Sequence, residues 1–248
     1  MSDLFDDISK LTEKLAKPPS QRRIREAQDN LDLARQDLMS SKLNYDAKIF
    51  NLACYHVQQS VEKTAKAYYK LLGVLDDEAI RRTSHDTPEL FLRMVELPWA
   101  QSFGELAKNV SGTQTATDTS KAQSVIDTEV ERAKIARLPS AAINRMLDLI
   151  PQIERVTAPF FPLTNKDLVM ALLRLYLLAA VTFPHERYSR YADGIVKPRE
   201  YTPKLGIVVS MKNVWNETET AISEVQQLID SSKHRKANRH KRSQQHAK

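Results

Sequence analysis

Ile24, Ala27, Leu31, Ala34 and Leu38 recur at intervals of three and four, and Phe50, Cys54, Val57, Val61, Ala65, Tyr68 and Leu72 repeat the pattern until Gly73 stops it. At 3.6 residues per turn, each set falls on one side of a helix. Both stripes are far longer than an ordinary strand, so this stretch must form two consecutive amphipathic helices that bury their stripes against something. The rest of the chain agrees. Glycine is rare, 5 in 248 residues, and alternation of period two is confined to a short ambiguous run at 205–210. The spacing therefore predicts an all-α fold, an antiparallel helical bundle.

Breakers and caps divide the chain. Residues 1–23 read as a short helix and a linker through Lys17-Pro18-Pro19-Ser20. The first main helix is expected over 21–43 and the second over 45–72, with Gly73 in the left-handed position that ends a helix. Thr87-Pro88-Glu89 has the order of an N-cap, an N1 proline and a first-turn acid. Residues 98–163 read as a helical insertion. Within it, Ser111 to Thr117 are small and polar and predict a mobile loop, and helices are expected over 119–136 and 140–157. The remaining core helices occupy 164–232: one over 164–182, ended by Pro184, and a last long helix from about Thr202-Pro203. Residues 233–248 hold almost no apolar surface, which predicts a disordered tail.

The net charge of +6 is local to that tail. Lys233, Arg235, Lys236, Arg239, Lys241, Arg242 and Lys248 stand there without an acid, and removing these seven charges leaves the rest of the chain at −1. The basicity therefore points to non-specific, salt-sensitive contact between the tail and nucleic acid, and the body is nearly neutral. Cys54 is the only cysteine, so a disulfide framework and a cysteine zinc site are excluded within one chain. A reducing, cytoplasmic location is expected. The longest apolar run, 168–183, is too short for a bilayer span and carries Arg174 at its middle, so a buried helix and no membrane partner are expected.

Taken singly, Gln58, Gln59, Glu62, Lys63 and Lys66 describe an ordinary solvated helix face. Taken in order, the words are more specific: Ala27, Leu31 and Ala34; Ala47 and Phe50; Gln59-Ser60-Val61-Glu62-Lys63-Thr64-Ala65-Lys66-Ala67; then Gly73 and His85. This set resembles the HEPN domain, the helical nucleotide-binding domain of higher eukaryotes and prokaryotes. The resemblance covers residues 24–96, within the HEPN-like helices expected over 24–97, and resumes weakly at 183–193. It implies a homodimer packed through the core helices, a nucleotide- or RNA-related role, and a place in a toxin–antitoxin or defence pair with a separate nucleotidyltransferase chain.

Catalytic members of that family carry an Arg-x4–6-His motif that cuts RNA without a metal. Histidine can move a proton and arginine can neutralise developing phosphate charge. In the corresponding place this chain has the reverse order, His185 before Arg187 and Arg190. Matches to the spacing at Arg235–His240 and Arg239–His246 lie in the basic tail and follow from its composition. His185, Arg187 and Arg190 are the nearest catalytic candidates, and the reversed order argues against ribonuclease activity. Arg187, Arg190 and Tyr191 still form a turn with phosphate-gripping and stacking groups, and Lys63 and Lys66 are candidates to line a dimer cleft. The alternative for the turn is structural, with Arg190 capping carbonyls and Tyr191 packed inward. A third reading is a dimeric scaffold with no ligand. No Gly-rich phosphate loop, Ser-His-Asp set or zinc spacing occurs, so no metal or cofactor is expected.

Overall fold

The computed structural model describes residues 19–73, 129–157, 163–192 and 194–245. Among these residues the regular structure is helical throughout, with no strand. In chain order the helices are α1 (Gln21–Asp46), α2 (Phe50–Leu72), α3 (Glu129–Ala136), α4 (Ser140–Leu147), α5 (Leu149–Thr157), α6 (Leu163–Thr182), α7 (Pro184–Tyr188), α8 (Gly206–Val209) and α9 (Met211–Gln245), with a 3-10 turn at Pro198–Glu200 before α8. The all-α expectation holds.

Local chemistry explains the ends of the first pair. Ser20 caps α1, its Oγ accepting from the Arg23 amide at 3.2 Å. Gly73 ends α2 at φ +63°, its N–H donating to the Tyr69 carbonyl at 2.8 Å. The boundary between the helices is later than the pattern suggests. α1 continues to Asp46 and α2 begins at Phe50, because the reversal is made at Lys48, in the left-handed region at φ +63°.

α1 and α2 form the centre of the bundle. Ile24, Ala27, Leu31, Ala34 and Leu38 are buried, as are Cys54, Val57, Val61, Ala65 and Tyr68. Two hydroxyls cross between the helices, Ser60 Oγ donating to the Ala34 carbonyl and Ser41 Oγ to the Ala53 carbonyl, each at 2.8 Å. α9 lies along the pair. Its Ala221, Ile222, Val225 and Ile229 enter the same core, and the Trp215 indole N–H donates to Ser41 Oγ at 2.9 Å.

In the described part of the expected insertion, Ala133, Ala136, Ile143 and Leu147 join the main core. One helix over 140–157 was expected, but the chain breaks at Asp148 into α4 and α5. Pro151 supplies the reason. In an unbroken helix its ring would press on the Leu147 carbonyl, whereas in the first turn of α5 its missing N–H costs nothing. Ile150 and Ile153 then build a smaller cluster with Met170, Leu173 and Leu177 of α6. Pro184 ends α6 and also starts α7 as its first residue.

Arg174 accounts for the charge within the apolar run. It is 8% exposed and sits between two acids of α9, its Nε 3.1 Å from Glu224 and its Nη1 bonded to Glu217. Burial pushes the Glu224 carboxyl above its usual range, and Arg174 opposes that shift. None of the helices, among the described residues, is long and apolar enough to cross a membrane.

Two further expectations are corrected. The last long helix begins at Met211, after the short helix α8 that absorbs the ambiguous run, and not at Thr202. It also continues through Lys233 to Gln245, where disorder was expected. Extending an existing helix needs no new nucleus, and Lys, Arg, Gln and Ala are favourable helix formers, so core contacts are not required. The expected loop at 111–117, the Thr87-Pro88-Glu89 cap and His85 lie outside the described residues.

Gly206 marks the tightest approach. A Cβ there would lie 1.9 Å from the Leu138 carbonyl oxygen, a backbone atom that has no rotamer to escape into. Gly206→Ala is expected to destabilise the fold by about 1–3 kcal/mol, as overpacking does, measured as a lower urea midpoint with unchanged helical circular dichroism in native buffer.

Candidate functional site

Removing the buried positions from α2 leaves a half-buried polar stripe. Tyr55, His56, Gln59, Lys63, Lys66 and Lys70 are each partly exposed and recur at intervals of one, three and four, so they share one side of the helix. Tyr55 to Lys66 spans about 16 Å at 1.5 Å per residue.

α7 closes one end of the stripe. Asn51 Nδ2 donates to the Ser189 carbonyl at 3.1 Å, tying the end of α7 to the start of α2. This places Arg190 against two rings: its Cζ lies 4.7 Å from the Tyr55 centroid and 4.9 Å from that of Tyr191. The guanidinium also donates to the Tyr191 hydroxyl at 2.9 Å, the Tyr55 hydroxyl at 3.3 Å and Glu186 at 3.1 Å. Tyr191 is 49% exposed. The turn therefore differs from the structural alternative: Arg190 is held by aromatic faces, hydroxyls and a carboxylate, and Tyr191 is not packed inward.

The lysines of the stripe face neighbouring acids. Lys63 pairs with Asp37 of α1, Lys70 with Glu26 of α1 at 3.0 Å, and Lys66 with Glu62 of α2 at 2.6 Å. Glu62 is 3% exposed and also accepts from Gln58 and Gln59 at 3.2 and 3.3 Å, so this part of the presumed solvated face is a buried network. Hydrogen bonds from Arg22 and then Lys70 hold the Glu26 carboxyl below its usual range.

The sequence candidates thus separate. Arg190, Tyr191, Lys63 and Lys66 lie along one stripe, and Arg187 is exposed at the end of α7 beside it. His185 is not with them. It is 1% exposed, its Nδ1 lies 2.9 Å from the Tyr201 hydroxyl, and its Nε2 is sealed from solvent without a partner. Burial lowers its pKa to about 3, so it stays neutral inside the protein. No cluster of three or more His, Cys, Asp or Glu suited to a metal occurs among the described residues. Cys54 is buried, and burial pushes its thiol far above its usual range, as its place on the apolar stripe implies.

Tyr55, His56, Asp37 and Glu186 were not among the sequence candidates. Subtracting the apolar stripe from α2 would have exposed the first two. The contact between Tyr55 and Arg190 joins positions 135 residues apart and has no local signature.

A family model described as HEPN domain matches residues 27–85. Residues 27–85 are thus similar to a HEPN domain. The match spans roughly a quarter of the 248 residues and, within the described part, contains most of α1, all of α2 and the whole polar stripe, whereas Arg190 and α9 lie beyond it. No curated protein and no solved structure matches the chain. For HEPN domains as a family, such a match suggests a nucleotide- or RNA-related function.

The buried histidine generates a pH prediction. Its folded pKa is depressed relative to the unfolded value near 6.5, so the unfolded chain takes up the proton first. This contribution to stability is complete above the unfolded pKa and is lost as pH falls from there toward 3. Chemical denaturation is expected to show a loss of about 2 kcal/mol between pH 7 and pH 5, a window above the ordinary carboxylate range. His185→Gln should lose less than the parent over that interval.

Proposed function

We propose that this protein is a nucleotide- or RNA-binding module whose contact surface is the polar stripe of α2 together with Arg190 and Tyr191. The Arg190 stack is the observation that carries the reading. A guanidinium lying between the partly exposed Tyr55 and the exposed Tyr191 offers a charge to phosphate and ring faces to a base, and both contacts tolerate any sequence. Lys63, Lys66 and Lys70, each beside a carboxylate, continue the row of cationic groups along the helix, far enough to meet more than one nucleotide. Arg187 adds a further cation at the same end. The HEPN match supports the ligand class.

The working unit in this reading is a homodimer, as the HEPN resemblance implies, acting with a separate nucleotidyltransferase chain in a toxin–antitoxin or defence pair. The cationic end of α9 adds sequence-independent attraction to nucleic acid. A ribonuclease centred on His185 is disfavoured, because a sealed, neutral imidazole cannot reach a ligand on the stripe. A ligand-free scaffold would leave the exposed cation and ring stack without a use.

Two measurements test the reading. Replacing both Arg187 and Arg190 by Ala should weaken binding of a labelled single-stranded RNA by about 1.5–3 kcal/mol for each charge-assisted contact removed, with the melting temperature little changed. A sharp fall in melting temperature with intact binding would make the turn structural. Light scattering at micromolar concentration should report about twice the 28.3 kDa chain mass, and a monomer across that range would refute the dimer.

A further inference from the structure

Asp37 of α1 holds two groups of α2 at once. Its Oδ1 lies 3.0 Å from His56 Nδ1, and its Oδ2 takes the Lys63 ammonium. A carboxylate paired with an ammonium can only accept a hydrogen bond, so His56 Nδ1 must carry the hydrogen. In the neutral ring the free lone pair is then on Nε2. The side chain is 26% exposed, and Nε2 is neither sealed in the interior nor bonded to another described residue. With the ring neutral, His56 is thus an imidazole whose tautomer Asp37 fixes and whose Nε2 is an acceptor.

Its position gives that acceptor a partner class. The His56 ring meets the edge of Tyr55 at a centroid separation of 5.2 Å and 63°, and Arg190 lies on the same Tyr55 ring. A cation, a stacking face and an oriented acceptor therefore converge on one patch. Phosphate oxygens are themselves acceptors and gain nothing from Nε2. Nucleobase N–H groups differ from base to base. The donor present on every nucleotide of an RNA strand, and absent from DNA, is the ribose 2′-hydroxyl.

We propose that His56 reads the 2′-hydroxyl and makes the α2 stripe selective for RNA over DNA, with Asp37 as the positioning residue that fixes the tautomer. The proposal rests on the nucleotide- or RNA-binding reading above and deepens it by naming the sugar. Lys63 has a double part, holding Asp37 in its charged, acceptor-only form and facing the ligand.

The test is fluorescence anisotropy at neutral pH with one short mixed-sequence single strand made in three forms: ribose, deoxyribose and 2′-O-methyl ribose. The methylated sugar keeps the oxygen and removes the donor. The full-length protein is expected to bind the ribose strand about 3- to 10-fold more tightly than either of the others, the range of one net hydrogen bond. His56→Ala should bring all three strands to the affinity the parent shows for the deoxy strand. Asp37→Asn, whose amide permits either tautomer, should narrow the preference while keeping part of it. Thermal melting of each variant checks that the fold is retained, and the comparison of three strands on the parent protein needs no variant. Equal affinity of the parent for the ribose and methylated strands overturns the assignment, as does a preference that survives in His56→Ala. Such results leave the binding surface standing. Failure of the parent to bind any of the strands removes that surface and this inference together.

Discussion

Small side chains at the crossing of α1 and α2 set the distances on which the molecule depends. Ala27 and Ala34 on one helix and Ala53 and Ala65 on the other are fully buried, and they bring the backbones near enough for Ser41 and Ser60 to reach carbonyls across the seam. Each hydroxyl finds its acceptor on the opposite helix, so the contact fixes register as well as separation. The polar side of the pair follows from it. Asp37 can span His56 and Lys63, and Glu26 can reach Lys70, because α1 lies so close to α2. Bulkier residues in the seam would open it and undo those pairings before they emptied the core.

A second constraint holds α6 and α9 together. Arg174 is a buried cation between Glu217 and Glu224, within an otherwise apolar interface. Such an arrangement adds little net stability over a hydrophobic substitute, yet removing its one cation would leave two partly buried carboxylates facing each other without a counter-charge. Its value is specificity of register: α9 cannot slide along α6 without leaving those charges unpaired. The Tyr68 hydroxyl, donating to the Leu168 carbonyl at 2.9 Å, ties α2 to the same helix. The face of α2 that carries the polar stripe is thereby oriented from its buried side.

Much of this was legible in the residues. The apolar stripes of α1 and α2, the stop at Gly73, the buried Cys54 and the core character of 168–183 follow from spacing alone, because burial of one helix side is written at every third or fourth position. What spacing does not record is where an element meets a partner far away in the chain. The break at Asp148 needed the geometry of Pro151, a local rule that periodicity hides. The course of α9 beyond Ser232 escaped because helix extension does not require apolar surface. The candidate site divided in the same way. Lys63 and Lys66 could be named from the helix face, but His185 looked available until the fold enclosed it, and the pairing of Tyr55 with Arg190 exists only in three dimensions.

The ion pairs along the stripe have a further consequence. Lys63, Lys66, Lys70 and Arg190 each already face a carboxylate of the protein: Asp37, Glu62, Glu26 and Glu186. A ligand phosphate arriving there does not meet bare cations. It exchanges with resident anions that are covalently part of the chain. Nucleic-acid binding is usually driven in part by mobile counterions released into solution, and that gain depends on salt. Tethered carboxylates surrender their cations without leaving the molecule. In the proposed reading the stripe would work as a fixed ion exchanger: phosphate and a tethered carboxylate would compete for the same cation, which would weaken the dependence of affinity on the ionic strength of the medium.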